Sequence, residues 1–302
     1  MKPAPGGAAF GLLVDALLGD PPDQAHPVAW FGRMMDSIED RIWADRPGPG
    51  VAHATTGLVT GWAAGRILRS AGAATAIATG ARSLMNTARC VATAVDDGDI
   101  ERARHLLPAL VGRDPSHLDE KEICRATVES VAENTVDAIV APALYAAAGG
   151  APAVLAHRAV NTMDAMVGHR SSRYSRYGRA PARLDDLANW LPARATALLV
   201  AAVRPRHAGE VLAVVRRDAP AHPSPNAGVA EAAFAAALGV TLGGVNRYGD
   251  RVEERPAMGN GPPPSIAEIE AAVRLTSDIR SVLVLGLGAW ELARRRRRKE
   301  HG

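Results

Sequence analysis

The sequence predicts an all-α fold: a single helical bundle with polar loops and at most one short β-hairpin. Hydrophobic residues make up 47% of the chain, yet much of that is alanine and aromatics are only 4%, so close packing of helices through Ala and Gly must replace large side chains in the core. Apolar residues recur at helical spacing, as Leu184, Leu187, Trp190 and Leu191 do in "RLDDLANWLPAR" (183–194). Alternating β patterns are scarce. No repeat of 20–50 residues is visible and no long linker divides the 302 residues, which predicts one domain over 1–302 with a basic tail at 294–302.

Residues 8–18 read as a first helix, ended by "GDPPDQAHP" (19–27), and amphipathic periodicity gives a second over Val28–Trp43. "DRPGPG" (45–50) reads as a loop, residues 52–97 as one or two Ala-rich helices, and Ile100–Leu110 as a short helix after "DDGD". In "GRDPSHLDEKE" (112–122), Asp114 is the expected N-cap and Pro115 the first helical residue. That helix continues through Glu129 and Glu133 towards Asp137. Another ends at Gly168, and Val229–Leu238 follows "HPSPNAG" (222–228). The hairpin signal is "LGGVNRYGDRVEERP" (242–256), with Gly249-Asp250 as its turn.

The net charge of +3 is concentrated in Arg294–Lys299. This run reads as a solvated tail or as a cytoplasmic anchor at anionic lipid; with no interleaved aromatics it does not point to nucleic acid. Cys90 and Cys124 lack metal-ligand spacing and read as reduced core residues. The N-terminal run, broken by Asp15, is a poor secretory signal. Ala138–Ala156 and Pro47–Gly65 are uncharged but rich in Pro and Gly, so hydropathy by itself leaves both a soluble helical protein and a small-residue membrane bundle open.

Polar groups in apolar surroundings carry the chemistry. Glu129, Glu133 and Asp137 stand four apart, and like charges on one helical face call for something positive between them. Asn161 and Asp164, then Asp185, Asp186 and Asn189, flank a loop bearing Arg170, Arg173, Arg176 and Arg179 with Tyr174 and Tyr177. Carboxylate and amide oxygens at such spacing suit a hard cation, and arginines suit the phosphates it bridges. The bland readings are a solvated acidic face and a juxtamembrane anchor with its tyrosines in the interfacial belt. His222, Ser224 and Asn226 are presented from a Pro-rigid frame, as are Asp20 and His26 near the start. No Walker loop, Gly-x-Ser-x-Gly elbow or His-Glu-x-x-His is present.

"GDPPDQAHPVAWFG", "VGRDPSHLD", "VESVAENTVDAIVAPALY", "NTMDAMVGHRSSRYSRYGRAPARLDDLANWLPAR" and "HPSPNAGVAEAAFAAALGVTLGGVNRYGD", in this order, resemble the cobalamin-biosynthesis family CobD/CbiB, adenosylcobinamide-phosphate synthase. The resemblance implies ATP-dependent amide ligation of (adenosyl)cobyric acid with aminopropanol or its phosphate, in a multi-pass inner-membrane protein whose active groups face the cytoplasm. It thereby implies a membrane-associated bundle touching lipid, and other enzymes of the cobalamin pathway as partners. With that chemistry in view, Asn161, Asp164, Asp185, Asp186 and Asn189 are assigned to magnesium. Arg173, Tyr174, Arg176, Arg194 and Asn134 are assigned to ATP or the amine phosphate, and Glu133 or Asp137 to deprotonating the amine. Asp20, His26, His222, Ser224 and Asn226 fall to substrate binding. Two other classes use similar ingredients: a membrane prenyltransferase handling a magnesium diphosphate, and a non-catalytic corrinoid-binding membrane protein.

Overall fold

The computed structural model describes residues 2–22, 24–112, 114–169, 173–248 and 251–300. The chain is mostly helical: α1 (Pro5–Leu18), α2 (Pro27–Ile42), α3 (Pro47–Leu68), α4 (Ala71–Ala78), α5 (Ala81–Asp96), α6 (Ile100–Leu106), α7 (Glu120–Thr135), α8 (Ala141–Met163), α9 (Arg179–Val203), α10 (Ala208–Asp218), α11 (Ala227–Leu238) and α12 (Ile266–Glu300). One antiparallel hairpin, β1 (Leu242–Tyr248) and β2 (Arg251–Met258), precedes α12. Its predicted turn, Gly249-Asp250, lies outside the described residues, as does Arg170. Two compact units emerge, both discontinuous in sequence: Met1–Gly80 with Asp137–Pro192 and Leu283–Gly302, and Ala81–Val136 with Ala193–Val282.

In the first unit α3 packs along α8 through a glycine face. A β-carbon on Gly61 would lie 2.5 Å from the Leu155 carbonyl oxygen, and one on Gly65 or Gly57 would strike the Ala151 carbonyl or the Met163 thioether. Glycines four apart let the two backbones touch, which is how a chain poor in aromatics builds its core. Helix α8 is bracketed by two π-helical turns, Val136–Val140 and Asp164–Gly168. It also bends at Gly150 (φ 68°), two residues before Pro152, as proline and glycine together provide.

In the second unit the hairpin is tied to α7. Arg125 donates to the Gly243 carbonyl (2.5 Å), the Val245 carbonyl (2.9 Å) and Asn246 Oδ1 (3.2 Å). Glu129 accepts from the Gly243 amide at 2.9 Å and pairs with Arg125 at 3.3 Å. That hairpin matches its sequence signal.

Other boundaries differ from expectation. Residues 47–50 open α3 instead of forming a loop, because prolines at the first helical positions surrender no needed N–H. The 52–97 stretch holds parts of three helices: Arg69 turns left-handed (φ 57°) to end α3, and the Ser70 hydroxyl caps α4. Asp114 accepts from the Ser116 amide in a local turn, and α7 is capped by Asp119, whose carboxylate and that of Glu122 form a reciprocal capping box. Among the described residues one helical run, Glu120–Gly168, is long and apolar enough to cross a membrane, and 72% of its most apolar window is buried. Length and hydropathy therefore supply one candidate span, most of it interior, and not the several expected.

Candidate functional site

In the first unit, residues from two of the quoted motifs converge. Asp137 stands in the π turn before α8, Asn161 near the end of α8, and Asp185 and Asn189 one turn apart on α9. The Asn161 amide nitrogen donates to Asp137 Oδ2 at 3.0 Å and to Asp185 Oδ1 at 3.4 Å. The Asn189 amide nitrogen donates to both Asp185 oxygens at 3.1 Å. Two carboxylates remote in sequence thus share one amide. The amide oxygens face the other way: Asn161 Oδ1 accepts a hydrogen bond from Arg158 Nη1 at 3.3 Å, and Asn189 Oδ1 meets His157 Nε2 at 2.8 Å. An amide oxygen only accepts, so His157 carries its proton on Nε2. The His157 ring stacks on Tyr145 at 4.8 Å, and the Tyr145 hydroxyl donates to the Ala188 carbonyl, holding α8 against α9.

Asp20 and Asp137 both act electrostatically on the Arg158 guanidinium, whose Nε is buried without a hydrogen-bond partner. His26 accepts from the Val28 amide through Nδ1, capping α2, and turns Nε2 to Asp20 at 3.5 Å. Sequence reasoning passed over Arg158 and His157. The available signal was a cation directly after the uncharged stretch Ala138–Ala156, since charges in apolar helices are seldom idle.

Other assigned residues go elsewhere. Glu133 is exposed, and the Asn134 amide donates back to the Ser130 carbonyl and hydroxyl of its own helix. Arg173 and the Tyr174 hydroxyl both bind Glu39, at 2.9 Å each, with Arg173 over the Trp43 ring. The backbone amides of Arg176 and Tyr177 donate to Asp45, which holds that carboxyl below its usual range. These bonds pin the arginine-tyrosine loop to α2 and the segment after it. Tyr177 is fully buried with its hydroxyl on His53 Nδ1, which removes it from an interfacial belt. Asp164 packs against Gly168. Asp186, next to Asp185 but turned about 100° around α9, lines a separate cavity of about 520 Å³.

In the second unit the "HPSPNAG" segment builds a frame. The Ser224 hydroxyl accepts from the Asn226 and Ala227 amides, capping α11, and Asn226 Oδ1 accepts from Arg194 at 2.8 Å. His222 Nδ1 accepts from the Ser224 amide, while its Nε2 lies 3.7 Å from Glu231, a carboxylate fully buried on α11. Arg255 approaches the same carboxylate at 3.7 Å. Burial holds the His222 imidazole below its usual range. Gly228 permits this, because a β-carbon there would collide with the His222 side chain.

Residues 8–276 match the family model described as CobD/Cbib protein. The chain is 46% identical over 285 residues to the cobalamin biosynthesis protein CobD of Mycobacterium tuberculosis, covering 89% of this chain and 90% of that relative. It is 41% identical over 282 residues to the CobD of Pelobacter propionicus, covering 86% of each. Identity to the CobD of Klebsiella pneumoniae is 38% over 307 residues, covering 92% of this chain and 95% of the relative. No solved structure matches the chain.

Proposed function

This chain belongs to the CobD/CbiB family of cobalamin-biosynthesis proteins, and we propose that its reaction is the ATP-dependent joining of a propionate carboxylate of (adenosyl)cobyric acid to aminopropanol or aminopropanol phosphate. The observation that carries this reading is the pair Asp137 and Asp185, drawn from segments far apart in sequence and bridged by one asparagine amide. A carboxylate does not acylate an amine at neutral pH, because oxide is too poor a leaving group. ATP removes that obstacle: the propionate oxygen attacks the terminal phosphorus, ADP departs, and the resulting acyl phosphate loses inorganic phosphate when the amine attacks its carbonyl carbon.

The residues present suit magnesium. Among the described residues no three His, Cys, Asp or Glu gather as a metal set; magnesium is commonly held by one or two carboxylates, its shell completed by phosphate oxygens and water. Asp185 would supply such an oxygen, and the bound ion would neutralise charge on the transferring phosphate. Asn161 and Asn189 fix the two carboxylates by donating to them, and His157 and Arg158 fix the asparagines in turn. Asp137, which sits in this cluster, is better placed than the exposed Glu133 to take the amine's proton.

Attachment to the inner membrane, with several passes, belongs to the same proposal. Its support is the apolar side chains turned outward on the first unit, among them Ile67 (81% exposed), Leu187 (75%), Leu285 (73%) and Leu17 (72%), more large apolar surface than a soluble face needs. The test uses the full chain in detergent with adenosylcobyric acid, ATP, magnesium and each amine in turn, the corrinoid being weighed by mass spectrometry. An ATP-dependent gain of one amine less water is expected. Corrinoid binding without any coupled product would sink the ligase reading in favour of a carrier.

A further inference from the structure

The cavity of about 520 Å³ lies where the second π turn meets the first two turns of α9. Among the described residues its ionisable lining is Arg179, Arg183, His169 and Asp186, two guanidiniums and an imidazole beside one carboxylate. Arg179 and Arg183 stand one helical turn apart and share a face. Like charges at that spacing repel, so the arrangement costs the helix something unless an anion sits between them. Their commitments are few. Arg179 donates from Nε to the Ser175 carbonyl at 2.9 Å, which sets the plane of its guanidinium and leaves the terminal nitrogens for a ligand. Arg183 makes no hydrogen bond or ion pair among the described residues. Gly168, Gly178, Tyr174, Ser175 and Ala182 complete the lining among the described residues.

We propose that this cavity is a phosphoryl-binding subsite, in which Arg179 and Arg183 grip a phosphate whose accompanying positive charge faces Asp186. Planar guanidiniums match phosphate oxygens in pairs. The volume exceeds what a phosphate ion fills and falls in the usual range of small-molecule sites, so the phosphate arrives attached to something. Asp186, two turns along from Arg179 on the same helix, selects for a ligand that is not anionic throughout. An amino-alcohol phosphate, with its ammonium, meets this description, and so does a nucleotide phosphate carrying magnesium. The inference rests on the ligase reading for the choice of these two ligands but not for the site itself. Arg179 and Arg183 would then take over the anion grip that the sequence suggested for Arg173, whose guanidinium is held by Glu39.

The experiment is equilibrium binding to the full chain in detergent, without corrinoid and without turnover. Four probes are used: aminopropanol, aminopropanol phosphate, ATP alone and ATP with magnesium. Arg183→Ala is expected to weaken a phosphate-bearing probe by about tenfold or more while leaving free aminopropanol unchanged, and Arg183→Lys to recover part of the loss. The probe that responds identifies the source of the phosphate. In the unaltered chain, the same probe should slow phenylglyoxal modification of Arg179 and Arg183, read by peptide mass spectrometry. Unchanged affinity for every phosphate probe in Arg183→Ala, or no protection in the unaltered chain, overturns the subsite. Because no amide is formed in this assay, a chain that binds phosphate here yet makes no cobinamide would refute the ligase reading alone.

Discussion

Two polar clusters, one in each unit, use the same residue types to opposite ends. In the second unit each buried carboxylate has a guanidinium of its own: Glu129 meets Arg125 and Glu231 meets Arg255. In the first, Asp137 and Asp185 share an asparagine amide, and Arg158 reaches them through that asparagine's oxygen. Matched charge fixes a hairpin and a helix cap in place. Of the two carboxylates that share one asparagine amide, Asp185 is the one proposed above to meet a cation. The difference teaches that the sharing of a partner, and not depth of burial, sets the first cluster apart: Asp137 and Asp185 are half-buried, whereas Glu129 and Glu231 are buried.

The sharpest way to break this comparison is to remove charge from each cluster and ask what is lost. Asp185→Asn should lower amide formation by about a hundredfold or more with a thermal midpoint near that of the parent. A variant that turned over normally would place the first cluster with the second as scaffolding. Glu129→Gln should do the reverse, costing about 3 kcal/mol of stability because Arg125 is left without its buried partner, while the folded fraction keeps its turnover number in denaturant-calibrated assays. Gly61→Ala, outside both clusters, should cost about 1–3 kcal/mol by forcing α3 off the Leu155 carbonyl, a loss visible as an earlier melt with unaltered substrate affinity.

The smallest effect is expected from acid. His222 is held below the 6.5 usual for histidine by burial, so below that pH the unfolded chain binds a proton that the folded chain refuses. Stability should therefore decline as pH falls from 6.5 towards the lower folded value. His222→Asn should flatten that slope in a melting series, and an unchanged slope would assign the titration to another group.

Much of the first cluster was legible, since Asp137, Asn161, Asp185 and Asn189 stand out as oxygen-bearing side chains beside apolar runs. What spacing does not say is which neighbour faces where. Asp185 and Asp186 are equivalent in sequence, and only the packing of α9 on α8, fixed by Tyr145 and His157, sends one to the cluster and the other to the cavity. The carboxylates of Glu129, Glu133 and Asp137 were expected on one face; Glu129 and Glu133 are one turn apart on α7 but the first is buried and the second exposed, and Asp137 stands in the π turn that follows. The Asp119 capping box was readable as Asp-x-x-Glu but competed with an equally good cap at Asp114. Arg173 has the chemistry of a phosphate ligand, and no local pattern reveals that Glu39, 134 residues away, already holds it.

Both π turns contain an acid from the quoted motifs, Asp137 in one and Asp164 in the other. Such a turn is an α-helix that has swallowed one surplus residue, so its hydrogen-bond ladder is locally poorer than it has to be. A chain shortened by one residue within Val136–Val140 would regain regular winding without rotating the flanking segments against each other. On the proposed reaction, removing material there should leave a sturdier protein and a slower one, because Asp137 would be drawn away from the amide it shares with Asp185.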